Sequence, residues 1–318
     1  MTRRVHKKSW LALSYFLIFA FIFLMGFITA SVVFLWDNTV GAAAKNRIVG
    51  LDAYFLDGFF RRTYHGQSKP RLPDSIPPPG NGQYSWLPEE GLLAIAHGLG
   101  PKLFAGANTM ATMRRSLEMG FTFFEVDLVL TTDGHLVCYH GDTGEDLDQL
   151  SYSQYLDRLR RGKSAPCHFS DLVQVVRHAP HLRVVMDVKN RFSEVYQMAR
   201  QEIKDRTLGK SFIPQIYFFE QVEMLRRDQF FAGEIFTSYR SALTTGQILD
   251  YARRLGIRTV TLTLGRFEEI ENRIPRDLFI MIHPVNDPLL AAKIKQLGGR
   301  GIYTSYIIPQ TFPNLVIP

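Results

Sequence analysis

Cysteine is scarce: only Cys138 and Cys167 occur in 318 residues. Two thiols cannot make a disulfide scaffold, and no four-ligand zinc spacing is present. Each is read as a small buried thiol rather than as half of a 138–167 bond. No basic stretch is interleaved with aromatics, which leaves nucleic acid without a recognition motif. No internal repeat is visible beyond an alternation of short apolar and helical segments. Charge is missing altogether from Ser9 to Trp36, and that absence is informative.

As a helix those residues extend about 42 Å, enough to cross a hydrocarbon core of about 30 Å with tilt. A cleaved signal peptide ending near Ala42-Ala43-Ala44 is the competing reading, but the run is much longer than a signal h-region. The expectation is a retained anchor over 9–36. Arg3, Arg4, Lys7 and Lys8 precede it in a basic tail, residues 1–8, and the positive-inside rule keeps that tail cytoplasmic. The main domain then lies on the periplasmic, extracellular or lumenal side, with Trp10 and Trp36 at the interfaces.

Residues 37–91 read as a juxtamembrane linker. Its first part, 50–66, carries Phe55, Phe59 and Phe60 and suits either a membrane interface or an extension packed on the domain. Its second part, Lys69 to Gly82, is rich in proline and glycine. The formal charge of +7 is carried by pairs such as Arg114-Arg115, Arg160-Arg161, Arg226-Arg227 and Arg253-Arg254, read mostly as solvated helix faces. On an anchored protein a basic surface attracts anionic headgroups or substrates.

From Leu92 to Pro318 the alternation predicts βα units in a single domain of α/β class, a (β/α)8 TIM barrel. The expected strands are Leu92 to His97, Thr122 to Leu128, Arg183 to Val188, Phe212 to Phe218, Glu234 to Ser238, Arg258 to Leu264, Phe279 to His283 and Gly301 to Thr304. Helices are expected over Thr109 to Met119, Phe192 to Lys204, Thr245 to Leu255 and Pro288 to Leu297. Between the second and third strands, Asp133-Gly134 marks a hairpin turn with a return through Leu136 to His140. Glu125 and Asp127, two apart, share one face of their strand, and pairing across the turn sets His140 beside one of them within a residue of register. His97, Asp187, Lys189 and His283 each close an apolar run, where barrel strands deliver functional groups. His168, His178 and His181 lack an acidic partner pattern and read as structural or solvated.

The ordered set His97-Gly98, Asn108-Thr109, Glu125-Val126-Asp127, Asp133-Gly134 and His140 resembles the glycerophosphodiester phosphodiesterase family. The likeness runs over roughly 92–310. Met186 to Lys189 is similar to the family's Glu-x-Lys strand, Ile282 to Asp287 to its Trp-Thr-Val-Asn segment, and Gly301 to Ser305 to its Gly-Ile-x-Thr-Asp ending. The resemblance implies Glu125, Asp127 and Asp187 as ligands of Ca²⁺ or Mg²⁺, and His97 and His140 as general acid and base. It implies Lys189 as a charge for the phosphate and His283 as a pocket residue. The implied substrate is a small-molecule or lipid phosphodiester, cleaved to an alcohol and a glycerol phosphate.

Several positions depart from the family pattern. Gly98 stands where the family carries Arg, Ala107 where it carries Glu, Asp187 where it carries Glu, and Gly141 where it carries Asp. The first two read as an Arg/Glu pair dropped as a unit, with Lys102, Arg191 or Arg240 as replacement cations. The alternatives are a lysophospholipase D-like activity on membrane lipids, a cyclising phosphodiesterase, and a non-catalytic barrel that binds a lipid headgroup.

Overall fold

The computed structural model describes residues 76–101, 106–141, 145–309 and 315–316. The anchor expected over 9–36, its basic tail and most of the linker lie outside the described residues. Among the described residues no helix is long and apolar enough to cross a membrane.

All eight expected barrel strands form, within a few residues of their expected limits. They are β1 (Leu92–Ala96), β2 (Phe123–Leu130), β4 (Arg183–Val188), β5 (Phe212–Ile216), β6 (Ile235–Thr237), β7 (Thr259–Leu262), β8 (Phe279–Ile282) and β9 (Gly301–Thr304), all paired in parallel. Pairing of Ala96 with Phe124 joins β1 to β2 and closes the sheet. The ninth strand, β3 (Leu136–Cys138), is the antiparallel return of the hairpin, as expected. A two-residue strand, β10 (Leu315–Val316), adds to the outer edge of β1.

Period-2 patterning sorts the strand residues. Ile95, Phe123, Val185, Ile213, Ile235, Met281 and Tyr303 fill the barrel interior, together with Tyr84 and Trp86. Ala94, Phe124, Val126, Val184, Met186 and Ile216 point outward into the layer under the helices. Two-sided burial is why these strands read as continuous apolar runs. Tyr84 and Trp86, near the end of the stretch read as a linker, are fastened to the domain. The Tyr84 N–H and Trp86 Nε1–H donate to the Ala232 carbonyl at 2.7 and 3.1 Å.

The helices carry local stop and start chemistry. Helix α1 (Met110–Glu118) is capped by the Thr109 hydroxyl, and α2 (Tyr152–Arg161) by a reciprocal Ser151/Gln154 capping box. Helix α3 (Phe169–His178) begins at His168, whose Nε2 lies 2.8 Å from the Tyr152 hydroxyl. That agrees with a structural role for this histidine. Arg226 departs from the expectation of solvated basic pairs. It is buried and ion-paired with Glu234 at the start of β6, and it also donates to the Leu255 carbonyl.

Cys138 and Cys167 are disulfide-bonded, with Cα atoms 5.3 Å apart, which corrects the expectation of two separate thiols. Nothing in a separation of 29 residues signals the pairing. It arises because α2 folds the chain back, so that the Cys138 N–H donates to the Cys167 carbonyl at 2.9 Å. The bond ties the hairpin return to the entry of α3. Loop-closure entropy assigns such a crosslink about 3–4 kcal/mol. Cys138→Ser should therefore lower urea stability by about that amount, and reductant should have the same effect on the native chain but none on the variant. Equal stability of both proteins with and without reductant would contradict this.

Candidate active site

The interior phase of the strands continues past the apolar layers into polar residues at the C-terminal mouth. Position by position, β2 delivers Glu125 and Asp127, β4 delivers Asp187 and then Lys189, and β5 delivers Gln215 and then Tyr217. Register does the rest: Asp127 lies opposite Asp187, and Asp187 opposite Gln215. Two carboxylates from adjacent parallel strands are thereby fixed side by side. Glu125, one inward step below, completes a buried cluster in which one oxygen of each residue lies within 4.8 Å of the others.

Each carboxylate is held by a different element. Glu125 Oε2 accepts the Gly98 N–H at 2.7 Å, and His97 Nε2 lies 4.0 Å from the same oxygen. Asn108 grips β2 twice: its Nδ2 donates to Asp127 Oδ2 at 2.6 Å and its Oδ1 accepts the Asp127 N–H at 3.0 Å. Lys189 Nζ sits 2.7 Å from both Asp127 Oδ1 and Asp187 Oδ2. The Tyr217 hydroxyl lies 2.8 Å from each Asp187 oxygen and is oriented to donate to that carboxylate. A second tier supports it, with Gln215 Nε2 donating to Tyr217 Oη at 3.0 Å and Tyr303 Oη donating to Gln215 Oε1 at 3.2 Å.

Three acids against one ammonium leave an excess of negative charge in a buried site. Burial, then Asp127 and Asp187, push the Glu125 carboxyl well above the usual carboxylate range. Burial alone would raise Asp127 as well, but Lys189, His140 and His97 outweigh it and hold that carboxyl well below its usual range. Burial opposes the Lys189 charge, yet Asp127 and Asp187 hold its pKa well above the ordinary lysine value. Burial and then Asp187 keep Tyr217 protonated, as a donor to Asp187 must be.

These shifts oppose one another in their effect on stability. The raised Glu125 retains its proton in the folded chain after the unfolded chain has released it, so its contribution falls as pH rises above the ordinary Glu value. Asp127 behaves oppositely: its contribution is present above the ordinary Asp value and is lost as pH falls through the lowered one. Glu125→Gln, still able to accept from Gly98, should remove the first effect. In chelator, the change of melting temperature between about pH 5 and 7 should be more positive for the variant than for the native chain; parallel curves would contradict this.

The donor set fits a hard divalent cation. Three carboxylates with a net excess of charge are oxygen ligands of the type Ca²⁺ and Mg²⁺ take, and Asp127 and Asp187 are already oriented by Asn108 and Tyr217.

Of the remaining sequence-predicted residues, His97 directly follows β1, with Nδ1 3.3 Å from Ser305 Oγ and its ring edge-on to His283 at 4.4 Å. His283 also packs against Tyr239 and Tyr303, at 5.1 and 5.2 Å between centroids. His140 is exposed just past β3. Leu128 pairs with Cys138, the Tyr139 N–H donates to the Asp127 carbonyl, and His140 is the next residue, close enough to Asp127 to help hold its carboxylate ionised. The hairpin that carries His140 is anchored at its base, where Asn190 exchanges hydrogen bonds with Leu130 and Arg191 donates to the carbonyls of Leu130 and Thr131.

Gly98 and Ala107 prove to be neighbours. A Cβ on Gly98 would lie 3.0 Å from the Ala107 Cβ, and Gly98 adopts φ +60°. The two departures therefore occupy one spot. Of the proposed replacement cations, Lys102 lies outside the described residues. Arg191 is committed to the hairpin carbonyls and to Glu194 at 3.5 Å. Arg240 stands at the mouth, its Cζ 4.4 Å from the Tyr217 ring centroid. Sequence reasoning passed over Tyr217 and Gln215, although the period-2 face of the expected strand Phe212 to Phe218 already contained both. It named Asn108 only as part of a helix start.

Fold and site define the class: a (β/α)8 barrel with a buried acidic cluster at the C-terminal mouth, flanked by histidines. Residues 97–159 match the model of the glycerophosphoryl diester phosphodiesterase family. Three solved structures have the same fold. A glycerophosphodiester phosphodiesterase from Parabacteroides distasonis aligns with TM-score 0.58 at 17% identity, over 71% of this chain and 97% of that one. A phosphodiesterase from Oleispira antarctica, in complex with the product sn-glycerol-3-phosphate, aligns with TM-score 0.54 at 17% identity over 73% and 97%. A glycerophosphodiester phosphodiesterase from Thermotoga maritima gives TM-score 0.51 at 16% identity over 69% and 96%. No curated protein matches the chain.

Proposed function

We propose that the barrel hydrolyses glycerol-based phosphodiesters, releasing an alcohol and a glycerol phosphate. The observation that carries this reading is the buried Glu125, Asp127 and Asp187 cluster, with His97 4.0 Å from its edge and His140 on the adjoining hairpin. The match of residues 97–159 to the family model and the product held by the similarly folded Oleispira antarctica phosphodiesterase support the same reaction class.

The three carboxylates would hold Ca²⁺ or Mg²⁺, which supplies charge neutralisation for the phosphoryl oxygens. Asn108 and Tyr217 orient two of these ligands. Lys189, held between Asp127 and Asp187, offsets part of the cluster's charge. His97 and His140 form a donor and acceptor pair: one takes a proton from the attacking water, the other protonates the leaving alkoxide oxygen, so that water is consumed and the alcohol leaves neutral. His283, packed on His97, fixes that ring and borders the leaving-group side.

The charge-free stretch 9–36 motivates the location, with the barrel on the non-cytoplasmic face of a membrane. It also motivates a lipid variant of the substrate. Purified chain should release glycerol phosphate from glycerophosphodiesters in Mg²⁺ or Ca²⁺ and lose that activity in chelator. Lysophospholipids in the same assay separate the small-molecule reading from the lipid one. No metal-dependent turnover of any of these substrates would overturn the proposal.

A further inference from the structure

Arg240 closes a short 3₁₀ turn, Ser238–Arg240, directly after β6. In the closed strand order β6 lies across the barrel from β1, so Arg240 stands on the wall facing His97. Its guanidinium lies against the face of Tyr217, whose hydroxyl donates to Asp187. Arg240 is thus one side chain removed from the acid cluster.

Among the described residues, the Arg240 side chain has no ion pair and donates no hydrogen bond; its guanidinium stacks on Tyr217. Other arginines beneath the surface are engaged through their terminal nitrogens. Arg226 is paired with Glu234, Arg191 is spent on the hairpin carbonyls, and Arg266 donates to the Ser241 and Leu243 carbonyls at 2.8 and 2.9 Å. A half-buried guanidinium has lost part of its hydration, and stacking occupies its face while leaving the N–H groups along its edge. Those edges form a planar fork matched to two oxygens of a phosphoryl group.

No other free cation borders the cluster among the described residues. Lys189 is clamped between Asp127 and Asp187. The wall at Gly98 offers only a backbone N–H already given to Glu125, in a space that Ala107 closes. A phosphate entering over three carboxylates needs a positive group on the remaining side, and Arg240 is there.

We infer that Arg240 is the phosphate-binding arginine of this site, clamping the non-bridging oxygens of the diester and of the monoester product. The inference rests on the phosphodiesterase reading of the same mouth. It makes affinity for the phosphoryl group, rather than for the alcohol, depend on the β6 wall.

Calorimetry with the full chain in Mg²⁺ tests it, using sn-glycerol 3-phosphate and inorganic phosphate as separate probes. Arg240→Gln, which keeps a planar end without charge, should weaken both by about 10- to 100-fold, the scale of a lost charged hydrogen bond. Arg240→Lys should fall between, and Arg254→Ala, which removes a cation from an exposed helix end, should bind as the native chain does. Native affinity in Arg240→Gln and Arg240→Ala, or no binding of either probe by the native chain, would overturn the inference. Parallel hydrolysis assays separate the two claims. Phosphate binding that depends on Arg240 without any turnover fails the catalytic reading alone, and turnover with unchanged binding in Arg240→Gln fails only the arginine.

Discussion

His140→Ala should lower kcat by about 10²- to 10⁴-fold, the contribution of a positioned proton donor or acceptor, while leaving the fold intact. The side chain is exposed, and its hydrogen bond is a local one from the ring to the Gly141 carbonyl at 3.0 Å. Removal of such a surface group changes stability by about 0.5 kcal/mol or less. Its influence on the site is electrostatic, since it helps to hold Asp127 ionised. A large kinetic loss without a stability loss separates an enzyme from a barrel that merely binds a headgroup, because a binder should keep its ligand affinity. Turnover equal to that of the native chain would remove His140 from the mechanism.

Lys189→Met should have the largest effect on stability. It removes the one ammonium shared by Asp127 and Asp187 and leaves two facing carboxylates buried beside Glu125. Breaking a buried ion pair from one side costs about 3–5 kcal/mol. In chelator, the variant should unfold at correspondingly lower urea. Divalent metal should then restore much of the loss, since at a hundredfold excess over Kd a ligand of the folded state contributes about 2.7 kcal/mol. The expected pattern is a larger metal-induced stabilisation in the variant than in the native chain. Unchanged stability in chelator, or a variant that does not respond to metal, would contradict the electrostatic description of the cluster.

The barrel was legible in the sequence because two-sided burial writes parallel strands as short apolar runs, and each of the eight runs became a strand. The hairpin was legible for a different reason: Asp133-Gly134 sits at a turn where Gly134 takes φ +87°. Helix α2 went unread, since of its ten residues only Tyr155 is fully buried and its charged surface hides the period. The Ser151/Gln154 capping box was its one local signal. The disulfide had none, because the approach of Cys167 to Cys138 depends on how α2 folds back.

At the site, Glu125, Asp127, Asp187, Lys189 and His97 could be named because strand ends and spacing select them. Tyr217 and Gln215 were missed because a tyrosine and a glutamine among apolar residues look like packing until register sets them opposite Asp187. Asn108 was undervalued for a related reason. Its two hydrogen bonds to Asp127 are made from a left-handed backbone, φ +58°, at the helix entrance.

The central claim is that these three carboxylates hold a divalent cation at the mouth of the barrel. Crystals soaked in Mn²⁺ and measured for anomalous scattering test it most directly. The account predicts one strong peak bonded to Glu125, Asp127 and Asp187, with Lys189 at its side. An empty cluster with the Lys189 ammonium still bridging Asp127 and Asp187, or a peak bound elsewhere, would contradict it.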